Sequence, residues 1–85
     1  MTERKVAVAL KYEAPSAPRV VAVGRGEVAQ RIVETAQANG VPLTDNPALA
    51  EALSRIPVDH EIPESLYRAV AEVLTFILRT SEKLR

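Results

Sequence analysis

The sharpest chemical pattern in the chain is Gly24-Arg25-Gly26-Glu27-Val28-Ala29, which fits G-x-G-x-x-G/A. It follows a β-rich run and opens a helical one. Asp45 stands nineteen positions after Gly26, near where a dinucleotide-binding fold places the acid that holds a ribose. Such a turn aims backbone N–H groups and a helix N-terminus at a pyrophosphate. Against this, Glu27 sets a negative charge beside the phosphates, and too few strands are in prospect for the usual sheet. A glycine-permitted strand-to-helix turn explains the same residues, and Asp45 equally suits the start of the next helix. A small nucleotide-binding domain using the Gly24-Arg25-Gly26 turn stands as the alternative reading.

The other reactive side chains form no constellation. His60 is the single histidine, set between Asp59 and Glu61 in a proline-bounded polar stretch. That arrangement lacks the helical or hairpin spacing of a metal site and reads as a solvated loop. Asp59, Glu61 and Glu64 read as a solvated turn rather than a carboxylate pair. Ser16, Ser54, Ser65 and Ser81 have no nucleophile-elbow context. Asn46-Pro47 reads as a helix cap followed by the first helical residue. With no cysteine, there is neither a disulfide framework nor a thiolate site. No enzymatic activity, cofactor or metal is expected.

Composition narrows the remaining classes. The 85 residues make one small domain, burying roughly 60–65% of the surface the unfolded chain exposes. A hydrophobic content of 47% argues for a core, and with only Tyr12, Tyr67 and Phe76 as aromatics that core must be aliphatic. Eleven basic and eleven acidic residues cancel, which leaves no basic footprint for nucleic acid. No apolar run approaches the ~20 residues that span a bilayer. The start, Met1-Thr2-Glu3-Arg4-Lys5, lacks a signal-peptide core. A cytoplasmic location is the expectation.

Val6-Ala7-Val8-Ala9-Leu10-Lys11-Tyr12 is the longest β-rich run. Its two apolar faces predict a central strand with material packed on each side. Arg19-Val20-Val21-Ala22-Val23-Gly24 is a second strand, after a linker holding Pro15 and Pro18. A helix follows from about 27 to 39, with Val28, Ala29, Ile32, Val33 and Ala36 as its buried stripe and Asn39-Gly40 as its stop. Residues 41–44 are expected to form a third strand, reached by a right-handed parallel crossover. Asn46 and Pro47 open a helix whose buried side is Leu49, Ala50, Leu53 and Ile56, and Pro57 ends it. Residues 58–62 are extended or loop. Pro63 starts the last helix, striped by Leu66, Ala69, Val70, Val73, Leu74 and Ile77. The expected fold is α/β, a small central mixed sheet of about three strands surrounded by helices in the order β-β-α-β-α-α. Residues 6–80 form the domain, with flexible ends at 1–5 and 81–85.

Several blocks occur in an order that resembles a known family. They are the run from 6 to 12, Ala17-Pro18-Arg19-Val20-Val21-Ala22, Ala29-Gln30-Arg31-Ile32, Asn39-Gly40-Val41-Pro42 and Asp45-Asn46-Pro47. Leu49-Ala50, Ala52-Leu53, Glu61-Ile62-Pro63-Glu64, Leu66-Tyr67 and Ala69-Val70-Ala71-Glu72-Val73-Leu74 complete the series. Together they resemble the C-terminal cytoplasmic domain of FlhB, the switch protein of flagellar type III export. The resemblance implies a small central sheet surrounded by helices, carried in full-length relatives behind a four-helix membrane portion. Those relatives cleave themselves between Asn and Pro of an Asn-Pro-Thr-His motif just ahead of the strand matching residues 6–12, and cleavage accompanies a switch in export substrates.

Where that motif would stand, this chain has Thr2-Glu3-Arg4-Lys5. Self-cleavage needs an Asn side chain to attack its own carbonyl before Pro, so Thr2-Glu3 cannot perform it, and Asn46-Pro47 matches a different, non-cleaving position. The chain is expected to resemble the piece downstream of the cut, made separately, and to act as a non-catalytic interaction module of type III export. It would substitute for the FlhB domain or modulate it in export substrate specificity. In full-length relatives a further strand precedes the cleavage motif. If it neighbours Val6, Ala7, Val8, Ala9 and Leu10, those residues here present an open edge to a partner. The expected partner is a membrane-anchored FlhB-like component, another export-apparatus protein or a second copy, with no nucleic acid and no membrane insertion.

Overall fold

The computed structural model describes residues 5–13 and 15–83, those from 78 onward by backbone alone. Its elements are β1 (Val6–Lys11), β2 (Arg19–Arg25), α1 (Glu27–Ala38), α2 (Pro47–Leu53) and α3 (Glu64–Lys83). β1 and β2 pair antiparallel across a turn in which Ser16 N donates to Glu13 O at 2.9 Å.

The register explains how so short a hairpin serves two layers. Val8 faces Val23 and Ala9 faces Ala22, but Leu10 faces Val20, so Val21 is an extra residue in β2. Side chains alternate faces along a strand, and one inserted residue inverts the alternation beyond it. The bulge thereby puts Val20 on the same face as Val23, Val8 and Leu10. All four join one core cluster with Leu53, Ile62 and Val70. Ala7, Ala9, Ala22 and Gly24 take the opposite face, which α1 covers.

α1 ends as its sequence predicts. Gly40 takes φ 69°, Val41 N donates to Ala36 O at 2.9 Å and Gly40 N to Gln37 O at 3.3 Å. These are the two bonds of a Schellman stop. Within its expected stripe Ala29 is buried, whereas Val28 is half exposed. α2 opens with Asn46 Oδ1 accepting from Leu49 N at 3.1 Å and Pro47 in the first turn. It turns off at Leu53, before Pro57.

Three expectations need correction. Residues 41–44 are not a strand, so the order β-β-α-β-α-α becomes β-β-α-α-α and the sheet is two-stranded. Without that strand there is no parallel crossover, and the sheet is antiparallel rather than mixed. The stop at Gly40 sends the chain off exposed, with Val41 and Leu43 about half in solvent, and Pro42 has no N–H to give a ladder. The backbone that does join β2 comes from residues 59–62. Asp59 N donates to Val20 O at 2.6 Å, Val20 N to His60 O at 3.0 Å and Ile62 N to Pro18 O at 3.0 Å. Arg19 and Glu61 form an isolated antiparallel bridge. Among the described residues β2 therefore has neighbours on both sides, and β1, expected to be central, is at the edge.

Lys5 O accepts from Gly26 N at 2.9 Å, and α3 runs to Lys83. Residues 1–4 and 84–85 lie outside the described residues.

Candidate protein-interaction site

Residues Val6, Ala7, Val8, Ala9 and Leu10 all lie in β1 and all are partly exposed. Their ladder runs to β2 alone, and no backbone hydrogen bond from another described residue reaches the outer edge. A row of unpaired N–H and C=O groups is a template for a further strand. Val8 and Leu10 point to the core and Ala7 and Ala9 share the α1 face, so the strand offers backbone at its edge more than side chains. At its end Lys11 Nζ lies 3.7 Å from Glu13 Oε2, with both side chains exposed, a pairing that contributes little.

Two hollows flank α3. The larger, about 430 Å³, lies between the helix and residues 43–46, walled by Leu43, Thr44, Asp45, Asn46, Ala69, Glu72, Val73 and Phe76. The smaller, about 110 Å³, is lined by Tyr12, Pro18, Tyr67, Ala71, Leu74 and Thr75. Sequence reasoning assigned neither. For the larger, the legible signal was Phe76. It falls seven residues after Ala69 and three after Val73, so it shares their helix face, on which Ala69 is itself exposed.

The glycine turn is used for structure. Gly24 belongs to β2, and a Cβ on it would lie 2.6 Å from Val28 Cγ1 and 2.8 Å from Ile32 Cδ1. Its lack of a side chain lets α1 press on the hairpin. Gly26 has φ 60° and its N–H is engaged by Lys5 O. The Arg25 guanidinium reaches Ser54 Oγ at 2.8 Å and Glu51 Oε1 at 3.4 Å, tying β2 to α2. Asp45 lies in the loop before α2 rather than at the end of a parallel strand. The nucleotide-binding alternative finds no support in this arrangement. His60 is exposed and contributes its carbonyl to β2, and among the described residues no group of three His, Cys, Asp or Glu could hold a metal. Among the same residues no helix is long and apolar enough to cross a membrane.

Comparison with known proteins covers almost the whole chain. The model of the FlhB HrpN YscU SpaS family matches residues 4–77. YlqH of Bacillus subtilis (strain 168) is 41% identical over 86 residues, covering 99% of this chain and 92% of that one. The flagellar biosynthetic protein FlhB of Aquifex aeolicus (strain VF5) is 42% identical over 82 residues. That alignment takes in 93% of this chain but only 23% of FlhB, so the chain spans about a quarter of that relative's length. The crystal structure of the cytoplasmic domain of FlhB from Shewanella putrefaciens superposes with a TM-score of 0.82 at 38% identity, over 86% of this chain and 61% of that one.

Proposed function

The chain belongs to the FlhB HrpN YscU SpaS family, and from that premise we propose that it is a non-catalytic interaction module of flagellar or type III protein export. It works in the cytoplasm, at the export apparatus, and docks through the outer edge of β1. Its role is to substitute for the corresponding domain of FlhB or to modulate it, and so to influence which substrates are exported. The observation that carries this reading is the open edge at Val6, Ala7, Val8, Ala9 and Leu10, on a fold shared with the FlhB cytoplasmic domain.

Strand addition suits such an edge. Main-chain hydrogen bonds supply affinity without new pockets, and the incoming strand removes a template for aggregation. The partner is a membrane-anchored FlhB-like protein, through the segment upstream of its cleavage site.

The test is hydrogen exchange on the isotope-labelled chain, with and without that upstream portion of FlhB. Amides of β1 that exchange freely in the isolated domain slow on mixing, and titration gives a saturable affinity. Absence of binding, with unchanged exchange along β1, overturns the reading. Sedimentation of the domain alone separates addition of a partner's strand from β1–β1 pairing between two copies.

A further inference from the structure

We propose that the hollow between α3 and residues 43–46 is a docking groove for a basic amphipathic peptide segment of a partner protein. α3 contributes Ala69, Val73 and Phe76, which share one face by helical spacing, and Leu43 stands opposite. Leu43 is 47% exposed and Phe76 is 68% exposed, although both are large and apolar. Exposed apolar side chains gathered on one concavity mark a binding surface rather than scattered surface hydrophobics. The hollow has a volume of about 430 Å³.

The rim decides what enters. Among the described side chains, Asp45 and Glu72 are its charged residues, and no Lys or Arg lines the hollow. Neither carboxylate pairs with another described residue, whereas Glu13 and Glu51 have cationic partners. The chain as a whole is neutral, so this single-sign rim over an apolar floor is a local feature. Its complement is a segment with apolar side chains flanked by Lys or Arg. Charge complementarity of this kind selects partners and rejects like-charged ones. A phosphate backbone is repelled by the same two carboxylates. Asn46 takes no part, because its Oδ1 caps α2. No residue of β1 lines the groove, so the proposal is independent of the edge-docking reading.

The experiment titrates the full chain against two labelled amphipathic helical peptides, one of Leu and Lys, the other of Leu and Glu at the same spacing, reading fluorescence anisotropy. The Leu/Lys peptide binds at least about tenfold more tightly than the Leu/Glu peptide. Asp45→Lys with Glu72→Lys reverses the preference, and Leu43→Ser weakens both. Circular dichroism and a melt accompany each variant, and Asp45→Asn with Glu72→Gln replaces the reversal if that unfolds. Equal affinity for the two peptides, or unchanged preference in a folded charge variant, overturns the proposal. So does a dimer that Leu43→Ser or Phe76→Ser dissolves, since the occupant would then be a second copy.

Discussion

Gly24 is a glycine for want of space. Its φ is not positive, but any Cβ would lie 2.6 Å from Val28 Cγ1 and 2.9 Å from the Val28 backbone carbon. Backbone cannot yield as a flexible side chain can, so Gly24→Ala should destabilise by about 1–3 kcal/mol, as overpacking does. Urea unfolding checks this. Gly26 has open space around its missing Cβ but φ 60° with ψ −124°, so Gly26→Ala should cost about 1–3 kcal/mol through that glycine-favouring backbone alone. Asp59 is the one described residue other than glycine held at positive φ, at 75°. It turns the chain so that its N–H meets Val20 O. Asp59→Gly should therefore stabilise slightly, by less than about 1 kcal/mol, since relief of strain exceeds the added freedom of the unfolded chain. The glycine spacing was legible in the sequence, but its purpose was not. A motif records that two side chains are absent and leaves open whether a phosphate or a helix fills the room.

Helix ends were legible because their bonds are local. Asn39-Gly40 and Asn46-Pro47 do in the structure what their chemistry dictates, within a few residues of chain. Asn46→Ala should accordingly lower stability by about 1 kcal/mol, seen as an earlier thermal midpoint with the helix content of the folded state unchanged. Strand partners were not legible, because the partner is chosen by backbone over long range. Residues 41–44 have apolar side chains at alternate positions yet stay out of the sheet. Residues 59–62 carry Asp, His and Glu yet bond to β2 through N–H and C=O groups that any residue possesses. The bulge left a faint trace. Val20 and Val23 are three apart, and only an extra residue lets both face one core. Deleting Val21 makes the ladder regular and leaves Val20 two positions from Val23, on the same core face opposite Leu10, so the variant should keep its cooperative melt by circular dichroism.

For the molecule as a whole, the apolar faces of β1 reported what lies above and below it, not what lies beside it. α1 covers one face, while α2 and α3 build the core on the other. This accounts for a strand with two apolar faces at the edge of a sheet, where a central strand was expected. From the same geometry the domain is expected to unfold as one cooperative unit. Val20, Leu53, Ile62 and Val70 form a single cluster drawn from β2, α2, the 59–62 segment and α3. Ile62 is 5% exposed, and its N–H also holds Pro18 O, so it joins the hairpin to α3 by side chain and by backbone. Truncation to Ala removes only the side-chain link, at a cost of about 2–5 kcal/mol for a buried Ile. A domain of this size has roughly 5–10 kcal/mol to lose. Ile62→Ala should thus shift helix content by circular dichroism and β1 amide protection by hydrogen exchange together. If β1 lost protection at a denaturant concentration where the helices stayed intact, the hairpin and the helices would be separate units. The open edge would then belong to a hairpin that opens without the rest of the domain.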